Sequence, residues 1–146
     1  MTTGFKHARR AGRAAQDAAQ SIAVDKLSHV KLSQEQTELR QKVLEFTRNH
    51  LKSYNGDQPA MFVIQGDAGT GKSVVLNSLF NEIQRLSSGS GSDDILHGTK
   101  NFLVVNHPEM LKLYLRISKG FKYISRSSLE RPTSLINALQ KKNDMA

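Results

Sequence analysis

The sequence contains no cysteine, which excludes a disulfide framework, a thiolate metal site and a thiol nucleophile. It also lacks any apolar run long enough to span a bilayer, so we expect no membrane partner. Residues 1–20 are rich in arginine and alanine and lack the apolar core of a secretory signal. Together these absences predict a soluble protein of the cytoplasm.

Acidic residues are scarce at both ends of the chain, and the net charge of +8 is unevenly placed. Residues 1–31 carry +4, residues 32–109 carry −2 and residues 110–146 carry +6. We interpret residues 1–31 as a basic N-terminal extension and residues 32–146 as the N-terminal part of one domain. Strong basic bias attracts polyanions such as nucleic acid, although ordinary solvated lysines would give the same composition.

The most specific pattern present is GDAGTGKS at residues 66–73, which fits the GxxxxGK[ST] phosphate-binding loop. The segment before it, AMFVIQ at residues 60–65, is rich in strand-forming residues. The segment after it, residues 74–86, has apolar residues three and four positions apart, which predicts a helix. Strand, glycine loop and helix are the context that this pattern requires, whereas a plain glycine-rich turn is the structural alternative.

This loop predicts a site for a nucleoside triphosphate, ATP above all, with Mg²⁺. The loop glycines let the backbone approach phosphate closely, and backbone N–H groups and the following helix N-terminus favour an anion. Lys72 is predicted to reach the β- and γ-phosphates, and the Ser73 hydroxyl to bind the metal ion. The predicted binding residues in the loop are Gly66, Asp67, Ala68, Gly69, Thr70, Gly71, Lys72 and Ser73.

Several weaker signals place the remaining elements. Ser33 and Gln36 form a capping-box pattern that predicts a helix to about Leu51. The Gly/Ser-rich segment 87–99 is predicted to be an exposed loop, and NFLVVNH at 101–107 a second buried strand. Pro108 begins the next predicted helix, a basic loop follows, and residues 133–142 form a last helix. The fold class is α/β: an incomplete P-loop NTPase (RecA-like) parallel sheet flanked by helices.

A hydrolase of this type also needs an acid at the end of a neighbouring strand, where it holds Mg²⁺. In sequence this would be four apolar residues followed by aspartate, but the run at 102–105 is followed by Asn106. We therefore assign no catalytic residue. We expect the chain to be truncated before this acidic strand, and its incomplete sheet to leave an exposed edge that favours self-association.

The order LSQEQ at 32–36, GDAGTGKS at 66–73 and FLVVNHPEMLKLYLR at 102–116 resembles the start of superfamily one helicases. The Schlafen-like group of DNA/RNA helicases is the most similar, over residues 30–146. The resemblance implies that Gln36 reads the adenine edge, and that Asn106 and His107 contact a nucleic-acid backbone. Helix capping is the alternative at each of these positions. It also implies that hydrolysis and unwinding occur only in a longer parent protein, this chain alone being inactive.

Two other functions remain open at this stage. One is a small P-loop nucleotide kinase, for which the basic loop at 119–131 would have to serve as the lid. The other is a nucleic-acid-binding module that ignores ATP and binds less tightly as salt rises. Its candidate contacts are Lys119, Phe121, Lys122, Tyr123 and Arg126, and a solvated loop anchored by two buried aromatics is the structural alternative.

Overall fold

The computed structural model describes residues 31–67, 71–89 and 93–145, together with Gly12 and Ala15, which are both helical. The predicted N-terminal extension therefore lies almost wholly outside the described residues. So do the loop positions 68–70. Both assignments stay predictions.

The described chain is a mixed α/β fold in which helices predominate around a small parallel sheet. The helices are α1 (Gln34–Ser53), α2 (Lys72–Ser88), α3 (Pro108–Ile117) and α4 (Pro132–Asp144), and the strands are β1 (Leu103–Val104) and β2 (Leu129–Glu130). Short 3₁₀ turns occupy Ser118–Gly120 and Arg126–Ser128. Within the described ranges, no helix combines the length and apolar character needed to cross a membrane.

The helices begin where local sequence signals place them. The Ser33 Oγ accepts the Gln36 N–H at 3.2 Å, and the Gln36 Oε1 accepts the Ser33 N–H at 2.9 Å. This capping box confirms the predicted start of α1. Helices α3 and α4 begin at Pro108 and Pro132. Proline is tolerated there because an N–H group in the first helical turn has no hydrogen-bond partner within the helix, so its absence in proline costs no bond.

The sheet consists of two short parallel strands. Leu103 lies opposite Leu129, and Val104 lies opposite Glu130. Strand β1 falls inside the predicted segment 101–107, but it has only two residues, of which Leu103 is buried and Val104 is exposed. Strand β2 lies in a segment predicted to be a loop, and that prediction was wrong. A two-residue strand between a serine-rich turn and an Arg-Pro pair is too short to show alternation in the sequence.

The strand predicted before the glycine loop is absent, and that prediction was wrong: residues 59–67 carry no regular secondary structure. Their side chains still alternate as in a strand. Phe62, 39% exposed, packs edge-on against an aromatic ring of α1, and the partly buried Ile64 packs against the second cluster, whereas Met61 and Val63 are 83% and 73% exposed. A strand also needs ladder hydrogen bonds to a neighbour, and the described strands pair only with each other.

Two hydrophobic clusters form the core, and α2 contributes to both. The first consists of Phe80, Leu103, Tyr114, Ile124 and Leu129, which join α2, the sheet and α3. The second consists of Val43, Leu44, Leu79, Leu86 and Leu96, which join α1, α2 and the turn that precedes β1. Helix α2 is thus held on two faces.

The loop predicted to be exposed at 87–99 is anchored in its second half, which corrects that prediction. Asp94 accepts two hydrogen bonds from the Arg48 guanidinium, at 2.7 and 3.1 Å, and one from the Leu96 N–H at 3.0 Å. These bonds, the Arg48 bond first, hold the pKa of the Asp94 carboxyl below its usual range. The turn they fix inserts Leu96, 1% exposed, into the second cluster.

The direction of α2 relative to the sheet follows from contacts at its end. The Gly98 N–H donates to the Ser87 carbonyl at 2.9 Å, and Gln84 Nε2 donates to the Ser128 Oγ at 2.7 Å. Both partners come shortly before a strand, so the end of α2 lies beside the beginnings of the strands. Its start, and the glycine loop with it, therefore lies toward their carboxyl ends.

Candidate functional site

The glycine loop leads into α2 through a left-handed residue. Gly71 is the N-cap of the helix and has φ +83°, a conformation that glycine adopts without strain. Its carbonyl accepts the N–H groups of Val74 and Val75 at 3.1 and 3.2 Å. The first turn of α2 carries no acidic side chain. A first helical turn leaves N–H groups without partners inside the helix, and these groups and the positive end of the helix dipole favour an anion at this position.

Lys72 folds back over the loop that precedes it. Its Nζ donates a hydrogen bond to the Gly66 carbonyl oxygen, so the two ends of the motif meet. The side chains of Lys72 and Ser73 are both exposed. An ammonium group and a hydroxyl group are thus adjacent at the start of α2, and these are the groups that a phosphate and its metal ion use as partners.

Gln36 is the predicted binding residue outside the loop, and α1 places it against Gly71. A Cβ built on Gly71 would lie 2.5 Å from the Gln36 Nε2, so a larger residue at this position would displace the amide. The Oε1 of the same amide caps α1, which confirms the capping interpretation. Its Nε2 faces the end of the glycine loop, and this proximity was not predictable from the capping pattern.

The structure brings four of the nine predicted residues, Gln36, Gly66, Gly71 and Lys72, together through the contacts given above. Ser73 follows Lys72 in the first turn of α2. Asp67 is exposed beside Gly66. Ala68, Gly69 and Thr70 lie outside the described residues, so their role as phosphate-contacting backbone stays a prediction.

Polar residues at the ends of the two strands have different surroundings. His107 caps α3, since its Nδ1 accepts the Met110 N–H at 3.4 Å, which is the capping role named as the alternative for this residue. Asn106 is exposed just before it. Glu130, a half-buried acid that ends β2, was not predicted as a site residue, because it does not follow a run of four apolar residues.

The basic and aromatic segment 119–126 is divided between core and surface. Phe121 packs against the first cluster, and Tyr123 is half-buried. The two aromatic residues are therefore half-buried, whereas the prediction had them buried. Lys119 and Arg126 instead line a surface cavity, so the cations of this segment stay accessible.

Comparison with known proteins identifies a family and one relative. The family described as Schlafen group 3, DNA/RNA helicase domain, matches residues 59–146. A Saccharomyces cerevisiae protein, Uncharacterized protein YPL245W, is 65% identical to the chain over 149 aligned residues. The alignment covers 100% of this chain and 33% of that protein, so the chain spans about a third of the length of this relative. No solved structure matches the chain.

Proposed function

The chain belongs to the Schlafen group 3 DNA/RNA helicase domain family, and from this premise we propose that residues 66–73 bind ATP with Mg²⁺. The family match begins at residue 59 and therefore includes the whole loop. We further propose that the domain is part of a RecA-like P-loop fold. Parallel strands with the glycine loop toward their carboxyl ends support this, because ligands of open α/β sheets bind at that edge.

The observation that carries the proposal is the arrangement of Gly66, Gly71 and Lys72. Gly71, in the left-handed conformation, caps the start of a 17-residue helix. Lys72, the first residue of that helix, donates a hydrogen bond to the Gly66 carbonyl at the start of the loop. The neutral Gly66 carbonyl is a weaker acceptor for an ammonium group than a phosphate oxygen is. A triphosphate lying in the loop would thus take over the Lys72 hydrogen bond.

Each remaining residue has a role that follows from its position. The Ser73 hydroxyl would bind Mg²⁺, and that ion neutralises charge on the phosphates when it is present. Gln36 would offer its Nε2 to an acceptor atom of the base, while its Oε1 continues to cap α1. A glutamine amide can fill both roles at once because it has two N–H donors and an oxygen with two lone pairs.

Hydrolysis and unwinding are proposed to require residues beyond this chain. No run of four apolar residues in the sequence ends in aspartate or glutamate, so the usual signal of the metal-holding acid is missing. We accordingly propose ATP binding, and no ATP turnover, as the property of this chain. Nucleic acid is a proposed partner of the parent protein.

The test is equilibrium binding of a fluorescent ATP analogue with Mg²⁺ to the wild type and to Lys72→Ala. We expect the substitution to weaken binding by about tenfold or more, because a hydrogen bond to a charged group contributes about 1.5–3 kcal/mol. Lys141→Ala is the control, since it removes an exposed lysine from α4. GTP as competitor then measures the preference for adenine.

Two results would contradict the proposal. One is equal binding by Lys72→Ala and the control, which would show that the lysine of the loop makes no phosphate contact. The other is the absence of binding by a wild type that circular dichroism shows to be folded. ATP turnover above background that disappears in Lys72→Ala would instead overturn only the statement that this chain does not hydrolyse ATP.

A further inference from the structure

Arg40 joins α1 to α2 through a contact that the nucleotide site described above does not use. Its Nη1 donates a hydrogen bond to the Ser78 Oγ at 2.9 Å, and both side chains are half-buried. Both helices are described in full, and no other side-chain hydrogen bond joins them. Arg40 lies one turn after Gln36 on α1, so the two side chains share one side of that helix.

Arg40 stands between the packed part of α1 and the end of α1 that faces the glycine loop. The two buried residues of α1, Val43 and Leu44, lie beyond Arg40 and pack in the second cluster. Gln36 lies on the other side of Arg40, toward the start of the helix, where its amide meets Gly71. The Arg40 bond is therefore placed to hold this end of α1 on α2.

The acidic residue of α2 is not used for this contact. Glu82, one turn beyond Ser78, accepts two hydrogen bonds from Arg85 of its own helix, at 2.6 and 2.9 Å. A carboxylate is a stronger partner for a guanidinium than a hydroxyl is. Arg40 nevertheless binds the neutral hydroxyl of Ser78, which lies nearer the glycine loop than Glu82 does. The bond thus acts on the part of α1 that carries Gln36.

The orientation of the Gln36 amide is fixed by the helix cap. Its Oε1 accepts the Ser33 N–H at 2.9 Å, and a half-turn of the amide would place N–H groups against that donor. Nε2 therefore faces Gly71 as a donor, beside an oxygen that keeps a second lone pair. A donor beside an acceptor matches adenine, which offers the N7 acceptor and the N6 amino donor. Guanine offers two acceptors, N7 and O6, so its O6 would meet the Oε1.

We propose that Arg40 is a positioning residue for base selection: through Ser78 it holds α1 so that the Gln36 amide distinguishes ATP from GTP. This role rests on the nucleotide site proposed above. Selection by hydrogen bonds requires that the amide be held in place, because these bonds weaken steeply as their angles depart from linearity. Loss of the Arg40 bond therefore lowers the selectivity for the base. It leaves the phosphate contact of Lys72 unchanged, since Lys72 belongs to α2.

The test is competition against an ATP analogue labelled on the ribose, with Mg²⁺ and with ATP, GTP or inorganic triphosphate as the competitor. Inorganic triphosphate carries no base and so measures the phosphate contacts alone. Arg40→Met removes the hydrogen-bond donors and keeps an unbranched side chain. The matched control is Arg48→Met, which makes the same change two turns further along α1, where the guanidinium binds Asp94. Urea denaturation gives the stability of each variant.

We expect the wild type to bind ATP at least about fivefold more tightly than GTP, the lower end of what a two-bond contact to a base edge provides. Arg40→Met should bring this ratio close to equal binding and keep the wild-type affinity for inorganic triphosphate. Ser78→Ala should have the same effect, and the double variant should lose no more than either single variant, because all three lack the same bond. Arg40→Lys keeps a donor for the hydroxyl and should retain most of the ratio. Arg48→Met should lower stability and keep the ratio.

Several outcomes would overturn this role of Arg40. A wild-type ratio in Arg40→Met would show that α1 stays in place without the bond. An equal loss of the ratio in Arg48→Met would show that any loosening of α1 has this effect. Losses that add in the double variant would show that Arg40 and Ser78 act separately.

Failure of this role and failure of the nucleotide site are distinguishable. Equal binding of ATP and GTP by a wild type whose binding disappears in Lys72→Ala would overturn the role of Arg40 and leave the phosphate site standing. Absence of nucleotide binding by a folded wild type would overturn both.

Discussion

Gly71 is the residue at which conformation and contact both require glycine. Its φ of +83° costs other L-residues roughly 1–2 kcal/mol, and a side chain there would also meet the Gln36 amide. Gly56 offers a natural comparison, because its φ is +93° but nothing lies within 4 Å of the position of its Cβ. The two glycines thus share the backbone cost and differ in what surrounds them.

We predict that Gly71→Ala and Gly56→Ala each lower the free energy of unfolding by about 1–2 kcal/mol, measured by urea denaturation. Only Gly71→Ala should also weaken binding of the ATP analogue, because it shifts Gln36 and the start of α2. If Gly56→Ala weakened nucleotide binding as much, the effect would come from lost stability and not from the loop.

At the scale of elements, the helices were more predictable than the strands. Each helix start carries its own local signal, such as the Ser33 capping box or Pro108 and Pro132 in first turns. A strand depends on a partner elsewhere in the chain, so an apolar segment can have strand-like alternation and still lack a ladder, as residues 60–65 do. The contact between Gln36 and Gly71 depends likewise on how α1 packs on α2, which no local pattern encodes.

The link between α1 and the turn before β1 makes stability depend on pH. Hydrogen bonds from Arg48 and from the Leu96 N–H lower the pKa of Asp94 in the folded state. A group with a lowered folded pKa stabilises the fold above its unfolded pKa of about 4 and loses this contribution as pH falls through the folded value. The Asp94 contribution is therefore complete at neutral pH and lost in acid.

We predict that Asp94→Asn lowers the free energy of unfolding by about 0.5–1 kcal/mol at pH 7, the range for a partly exposed ion pair. The difference from wild type should shrink as pH falls through the lowered folded pKa of Asp94, because the wild-type carboxyl is then protonated as well. Asparagine keeps an oxygen for the Leu96 N–H, so the turn should survive. Urea denaturation across this pH range measures the effect. Asp93→Asn, which removes a charge from an exposed neighbour, should change stability less at pH 7.

At the scale of the whole molecule, charge and sheet geometry separate two surfaces. The glycine loop lies in the mildly acidic middle of the chain, and the surface cavity lined by Lys119 and Arg126 lies in the segment that carries +6. The sheet between them sets their separation, since α2 starts at one end and α3 leads to the other.

Among the residues that the structure describes, each strand of the small sheet pairs with a neighbour on one side only. Strand β1 has β2 on one side, and Val104 on β1 is 40% exposed. A strand edge with exposed apolar side chains favours pairing between molecules, although two residues offer few hydrogen bonds. We therefore predict weak self-association that increases with protein concentration, measured by sedimentation velocity.

Val104→Lys should weaken this association, because a lysine on an edge strand cannot be buried between two sheets without losing its hydration. Ile136→Lys places the same side chain on α4, where Ile136 is 54% exposed, and should leave the association unchanged. If Ile136→Lys abolished it instead, copies would meet through the apolar side of α4 and the prediction of edge pairing would be wrong. A wild type that stays monomeric at every concentration tested would contradict the prediction of self-association itself. It would mean that the two-residue edge is too short to pair.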